Sequence, residues 1–155
     1  MLFRSDPEIN LLPCKLIKVD NVYSVVWTEA PQVKMVLPEN AELFARFANL
    51  AGGDIHLGIR PQNAHYHFEP TPGAIQGKVY AFETIGNKSV LTAQIGENHL
   101  RMIAPNGLPV KLDQDVYVTF DIDRAIFFDA ESTRYIGRFD EAAIRELAAG
   151  QAKEV

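Results

Sequence analysis

The stretch that most constrains this chain is residues 75–104, IQGKVYAFETIGNKSVLTAQIGENHLRMIA. Apart from Glu83, apolar side chains or glycine recur at every second position along each strand, and Gly86-Asn87 and Gly96-Glu97-Asn98 separate the strands. A period of two is that of a half-buried β-strand, and Gly-Asn is among the strongest hairpin signals. Ile75, Gly77, Val79, Ala81 and Ile85 share one face of the first strand. Leu91, Ala93 and Ile95 line the second, and Leu100, Met102 and Ala104 the third. Tyr80 and Phe82 are expected on the opposite, outward face. A meander of this kind builds a sheet and excludes a helical bundle.

The rest of the chain fits a small β protein. Leu16–Val19, Tyr23–Trp27 and Val33–Leu37 read as strands separated by Asp20-Asn21 and Ala30-Pro31. Within residues 39–53, Leu43, Phe44, Phe47 and Leu50 recur at helical spacing, and Gly52 or Gly53 can end that helix near 40–51. Ile55–Arg60 follows as a strand, and Pro61 ends its ladder because it has no N–H to donate. Residues 69–73, EPTPG, form a corner between two halves. After a loop over 105–114, strands are expected at 116–120, with Tyr117 outward, and at 126–128. Residues 140–150 read as a helix with Asp140 as N-cap and Gly150 as stop. The expected architecture is mainly β, with small OB-like barrels and one or two short helices. Residues 1–68 form a first OB-like subdomain, 69–139 a second, and 140–155 a terminal helix and tail.

A chain of 155 residues buries roughly 70% of its unfolded surface, so it needs neither metal nor disulfide to fold. Twenty acidic against fifteen basic residues give a net charge of −5. That sign opposes phosphate backbones, which are held by clustered Lys and Arg. The outward aromatics with Lys78, Lys88 and Arg101 would be the nucleic-acid face of an OB barrel, and the charge ranks that reading last. Cys14 is the only cysteine; its leucine neighbours favour an inert, packed thiol and a reducing compartment. No apolar run is long enough to span a bilayer, and MLFRSDPE lacks the apolar core of a signal peptide. A cytoplasmic location follows as an expectation.

Motifs for chemistry are absent: no Gly-rich phosphate loop, no G-x-G-x-x-G and no G-x-S-x-G elbow. His65 and His67 would point the same way on a strand but lack a third ligand. Asp121, Asp123, Asp129 and Glu131 read as a solvated turn neutralised by Arg124 rather than an acid–base pair. The chain is expected not to be an enzyme and to bind no cofactor of its own.

Four blocks then occur in one order: INLLPCKLI at 9–17, LGIRPQN at 57–63, GKVYAFETIGNKSVLTAQIG at 77–96 and VYVTFDIDRAIFFDAES at 116–132. Together they resemble the C-terminal regulatory region of sugar-importer ABC ATPases of the maltose and glycerol-3-phosphate type, built of TOBE, OB-like barrels. Two departures stand out. Gln62 occupies a position where that family usually carries Glu, which removes a charge. The ATPase domain, with the ATP and magnesium it would hold, is missing, so a fragment cut just after that domain is the expectation.

The resemblance implies a non-catalytic role in a homodimer that joins two ATPase domains. It is peripheral to the inner membrane through permease subunits and open to a regulatory protein or small ligand. The positions singled out as structural or interface residues are Arg60, Pro61 and Gln62 at the seam, Gly86 and Asn87 in the hairpin, and Arg124 and Phe128 near the last strand. The alternative is a TOBE-type module for an oxyanion such as molybdate, using Lys88 and Ser89 beside the Gly86-Asn87 turn.

Overall fold

The computed structural model describes residues 9–50, 52–141, 144–147 and 149. Strands β1 (Asn10–Val19), β2 (Val22–Trp27) and β3 (Ala30–Val36) form an antiparallel meander. Asp20 and Asn21 both take positive φ, 50° and 65°, which closes the β1–β2 hairpin with the twist that its strands require. The first strand starts six residues earlier than its expected Leu16, because Pro13 is tolerated inside it. Its carbonyl accepts from Thr28 N at 3.1 Å just past the end of β2. The missing N–H on that side therefore falls where no ladder partner remains.

Helix α1 (Ala41–Ala48) follows, capped by Asn40, whose side chain accepts from Leu43 N at 3.0 Å. Its apolar stripe buries Leu43 and Phe47. After β4 (Asp54–Ile59) the chain turns through a short 3-10 segment, Pro61–Asn63, into β5 (Ala64–His67). The central meander becomes β6 (Ile75–Ile85), β7 (Lys88–Ile95) and β8 (Asn98–Ala104). Then come β9 (Asp115–Phe120), a second 3-10 turn at Ile122–Arg124, β10 (Ile126–Asp129) and β11 (Tyr135–Arg138). That last strand had no expectation attached to it. The C-terminal segment is helical at 144–147, with Ile144 N donating to Asp140 O at 3.0 Å. Arg138 holds the Asp140 carboxylate in a paired contact, Nη2 to Oδ2 at 3.1 Å; the partners of its expected cap, residues 142 and 143, lie outside the described residues. Gly150, the expected stop, lies outside the described residues.

Two antiparallel sheets result, ordered β11-β10-β4-β1-β2-β3 and β5-β9-β6-β7-β8. The sheets do not divide at 68/69. Strand β5 already belongs to the second sheet, and β10 and β11 return to complete the first. The second sheet curls until β8 lies against β5 and the 3-10 turn that precedes it, giving a small, nearly closed barrel. One continuous apolar core joins both sheets, with Val25, Leu57 and Phe127 from the first meeting Leu91, Leu100 and Val118 from the second. Each such side chain contributes about 1.5–3 kcal/mol through burial.

The β6 face changes partway along. Val79 pairs with Ala93 and Ala81 with Thr92, so Tyr80 is an extra residue in a bulge. Beyond it the alternation is reversed. Phe82, expected outside, packs against the core, and Ile85, expected inside, is exposed. Tyr80 remains outward as expected, its ring 4.1 Å from that of His99. Gly77 sits where a Cβ would stand 2.6 Å from the carbonyl oxygen of Gln94. The curl of the barrel thus needs glycine for space, not for an unusual φ.

A single side chain bolts the two sheets together. Asn10, buried at the start of β1, donates from Nδ2 to Arg101 O at 2.9 Å, and its Oδ1 accepts from Arg101 N at 2.8 Å. Strand β8 is an edge, and both backbone groups of Arg101 face that edge. The amide of Asn10 supplies them with the two hydrogen bonds that a neighbouring strand would have made.

Candidate functional site

The seam residues lie where the chain passes between sheets. Strand β4 ends at Ile59, Arg60 stands just outside it, and Pro61 is buried as the first residue of the 3-10 turn. Asn63 N closes that turn on Arg60 O at 2.8 Å, while Gln62 is exposed. The return crossing runs through the turn that contains Arg124. The two crossings touch: Asp121 N donates to Asn63 O at 2.9 Å. The turn that carries Pro61 and Gln62 and the turn that leads to Arg124 thus meet through Asn63 and Asp121. Phe128 follows on β10, half-buried, opposite His56 of β4 and edge-on to Tyr135. Gly86 and Asn87 do not join them. They form the exposed tip of the β6–β7 hairpin, with Gly86 at φ 65°.

The oxyanion positions proposed from the sequence are not poised as a pair. Lys88 is exposed, but Ser89 is fully buried and its hydroxyl is spent, donating to Asn106 Oδ1 at 2.6 Å beside Thr84 Oγ1 at 3.2 Å. His65 and His67 do share one side of β5. Each has its own partner, Asp121 Oδ2 at 3.0 Å and Thr119 Oγ1 at 2.9 Å. Among the described residues no cluster of three or more His, Cys, Asp or Glu forms around them. The acidic turn is likewise held in place. Backbone and hydroxyl hydrogen bonds from Ser132 keep Asp129 below its ordinary 3.8, the opposite of what a general acid needs.

The sequence reading missed the outer face of the first sheet. Cross-strand register sets Leu11 beside Gly58, Pro13 beside His56 and Ile17 beside Ser24, which in turn faces Val36. Two apolar patches result. One contains Ile17, Val19, Val22 and Val36, each between 38% and 59% exposed. The other joins Leu11, Pro13, Phe128 and Tyr135. Between them lies the ion pair of Lys15 with Asp54, at 3.6 Å. The signal was present as the alternation of Leu11, Pro13, Lys15 and Ile17 against Leu12, Cys14 and Leu16. It was overlooked because Pro13 was read as outside any strand. A sheet face this apolar and open is the usual mark of an interaction surface.

A crevice of about 350 Å³ opens between the end of α1 and the β10–β11 turn, with Asn49, Arg134 and Tyr135 among its lining residues. A smaller one of about 110 Å³ lies between α1 and residues 138–141, lined by Asn40, Leu43, Arg138, Phe139 and Glu141 among others.

Comparison with known proteins places this geometry. Residues 57–128 match the TOBE domain family, so a TOBE domain is present; the match runs from the middle of β4 through the whole second sheet to β10. No curated protein matches the chain. Among solved structures, the fold is similar to the cytoplasmic molybdate-binding protein ModG in its molybdate-bound form. The TM-score is 0.59 at 13% identity, over 76% of this chain and 94% of that one. At that identity the likeness concerns the fold, which is mainly β and OB-like as expected.

Proposed function

We propose that this chain is a non-catalytic TOBE-type module that works as a self-associated pair, in the role of the regulatory and dimerisation domain of a sugar-importer ABC ATPase. The observation that carries self-association is the apolar outer face of the first sheet. Four of the side chains there are aliphatic and at least 38% exposed, on a sheet whose inner face is already filled. A two-fold pairing of such faces is self-complementary. The importer context rests on the four ordered sequence blocks and on the TOBE match within them. In that context ATP and magnesium belong to a separate domain, permease subunits are the membrane partners, and the pair sits on the cytoplasmic side of the membrane.

A second reading, an oxyanion-binding module, has support of its own. The solved neighbour binds molybdate, and of the two readings this is the one that the comparisons favour. Against it stands the engagement of Ser89 with Asn106 and Thr84. An oxyanion would have to use other turns.

Sedimentation across a concentration series, with and without molybdate, separates the two. Self-association without ligand, weakened at least about tenfold by Val36→Lys, supports the regulatory pair. A strict monomer that gains thermal stability with molybdate overturns it in favour of the oxyanion module.

A further inference from the structure

The helix that follows Asp140 is attached in an unusual way. Its described apolar side chains, Ile144 and Leu147, are 42% and 67% exposed, so neither is buried against the fold. What joins it to α1 is a closed ring of four charges. On α1, Glu42 and Arg46 stand one turn apart, with Arg46 Nη2 donating to Glu42 Oε1 at 2.9 Å. On the terminal helix, Glu141 and Arg145 stand one turn apart, with Arg145 Nη1 donating to Glu141 Oε2 at 3.2 Å. Across the gap, Arg46 donates to Glu141 at 2.8 and 3.1 Å, and Arg145 to Glu42 at 3.2 and 3.3 Å. Each acid therefore meets both bases, and each base both acids. Hydrogen bonds from Tyr135 and then Arg46 hold Glu141 below its ordinary carboxylate range.

We infer that this ring is a releasable electrostatic latch: among the described residues it is what joins the terminal helix to α1, with Tyr135 of β11 as a further partner of Glu141, and screening it loosens the helix. An isolated exposed pair would hold little. Here four charges share contacts, and the Glu141 side chain is only 19% exposed, so it is partly shielded from water. Release opens the crevice beside Glu141, which Asn40, Leu43, Arg138 and Phe139 line together with Glu42 and Arg46 of the ring. The chain thereby has a covered and an uncovered form of one surface. Salt discriminates between them, because the screening length falls from about 10 Å at 0.1 M to about 3 Å at 1 M.

Hydrogen exchange on the full chain, read by mass spectrometry over residues 141–149, tests this. Arg46 is unsuitable for substitution, since Nη1 also donates to Ile136 O at 2.9 Å and so supports β11. Glu42→Gln and Arg145→Gln are the variants to use. Exchange in the terminal helix should quicken up to about tenfold in each variant, which removes the Glu42–Arg145 pair and one pair within a helix, and in 1 M sodium chloride, which screens the whole ring. The double variant should be no faster than the singles, and peptides from β6 to β9 should not change. Protection that ignores both salt and the variants would overturn the latch. So would a terminal helix already exchanging without protection at low salt.

Discussion

Replacing Asn10 with Ala should be among the most damaging single changes away from the apolar core. The amide makes two hydrogen bonds, at 2.9 and 2.8 Å, to one residue of the other sheet, and Asn10 itself is 4% exposed. A net contribution of about 1 kcal/mol per bond gives about 2 kcal/mol. Truncation also leaves the N–H and C=O of Arg101 facing an edge that water reaches only in part, which raises the cost to about 2–3 kcal/mol. For a chain of this length that is a fall in Tm of about 4–10 °C. The assay is urea unfolding followed by the fluorescence of Trp27, the single tryptophan, which is buried and tilted against Phe120 with ring centroids 5.1 Å apart. Asn10→Asp is the informative partner: it keeps an acceptor for Arg101 N but turns a charged oxygen toward Arg101 O. It should rescue nothing. If Asn10→Ala unfolds within about 0.5 kcal/mol of the parent, the range of an ordinary surface change, the side-chain bolt between the sheets is not a stabilising element and the reasoning fails.

Three further outcomes follow from the same coordinates. Gly77→Ala drives a Cβ to 2.6 Å from a backbone oxygen and 3.0 Å from Ile95 Cγ1. It should cost about 1–3 kcal/mol in the same urea assay, and a neutral result would mean that the barrel relaxes there freely. The Asp129 carboxyl is held below 3.8 by Ser132, so folding favours its charged form. Its contribution is complete above the unfolded value and is lost as pH falls through the lower folded value. Asp129→Asn should therefore flatten the acid limb of a stability profile below about pH 4 while leaving its slope near neutrality unchanged. Burial pushes the Cys14 thiol up to about 12, so an aromatic disulfide reagent should react only as fast as the chain opens, and prompt labelling of the native protein would refute that.

Much of the fold was legible because alternation and turn chemistry agree over residues 75–104. The β6–β7–β8 meander, both of its turns and the inward faces of β7 and β8 follow from that agreement. What failed there was parity after Tyr80, since a bulge inserts one residue without leaving any signal in composition. Strand β1 was half read, because proline normally argues against a central strand and nothing local shows that its N–H side faces the end of a ladder. Strand β11 is four residues long and follows a turn in which Thr133 takes φ 61°; a strand so short has too little pattern to be seen. The seam at Arg60–Gln62 is where the chain passes from the first sheet to the second. Its contact with the Asp121 crossing joins residues far apart in the chain, and single-sequence pattern cannot report that. For the same reason the charge ring between α1 and the terminal helix could not be seen in advance.

The return of β10 and β11 to the first sheet has a consequence for how the molecule is made. Strand β10 pairs with β4 across a separation of about seventy residues, Ile126 opposite Gly58. A chain emerging from the ribosome in order forms β1 to β4 first, but their sheet keeps an open β4 edge until Asp129, the end of β10, has emerged. The whole second sheet must fold, or at least wait, inside that unfinished interval, and closing so long a loop slows assembly. The TOBE-matching stretch is in this sense an insertion between two neighbouring strands. Cutting it out at 57–128 would leave β4 and β10 without β1 and β11 beside them, two edges exposed where the intact chain has none.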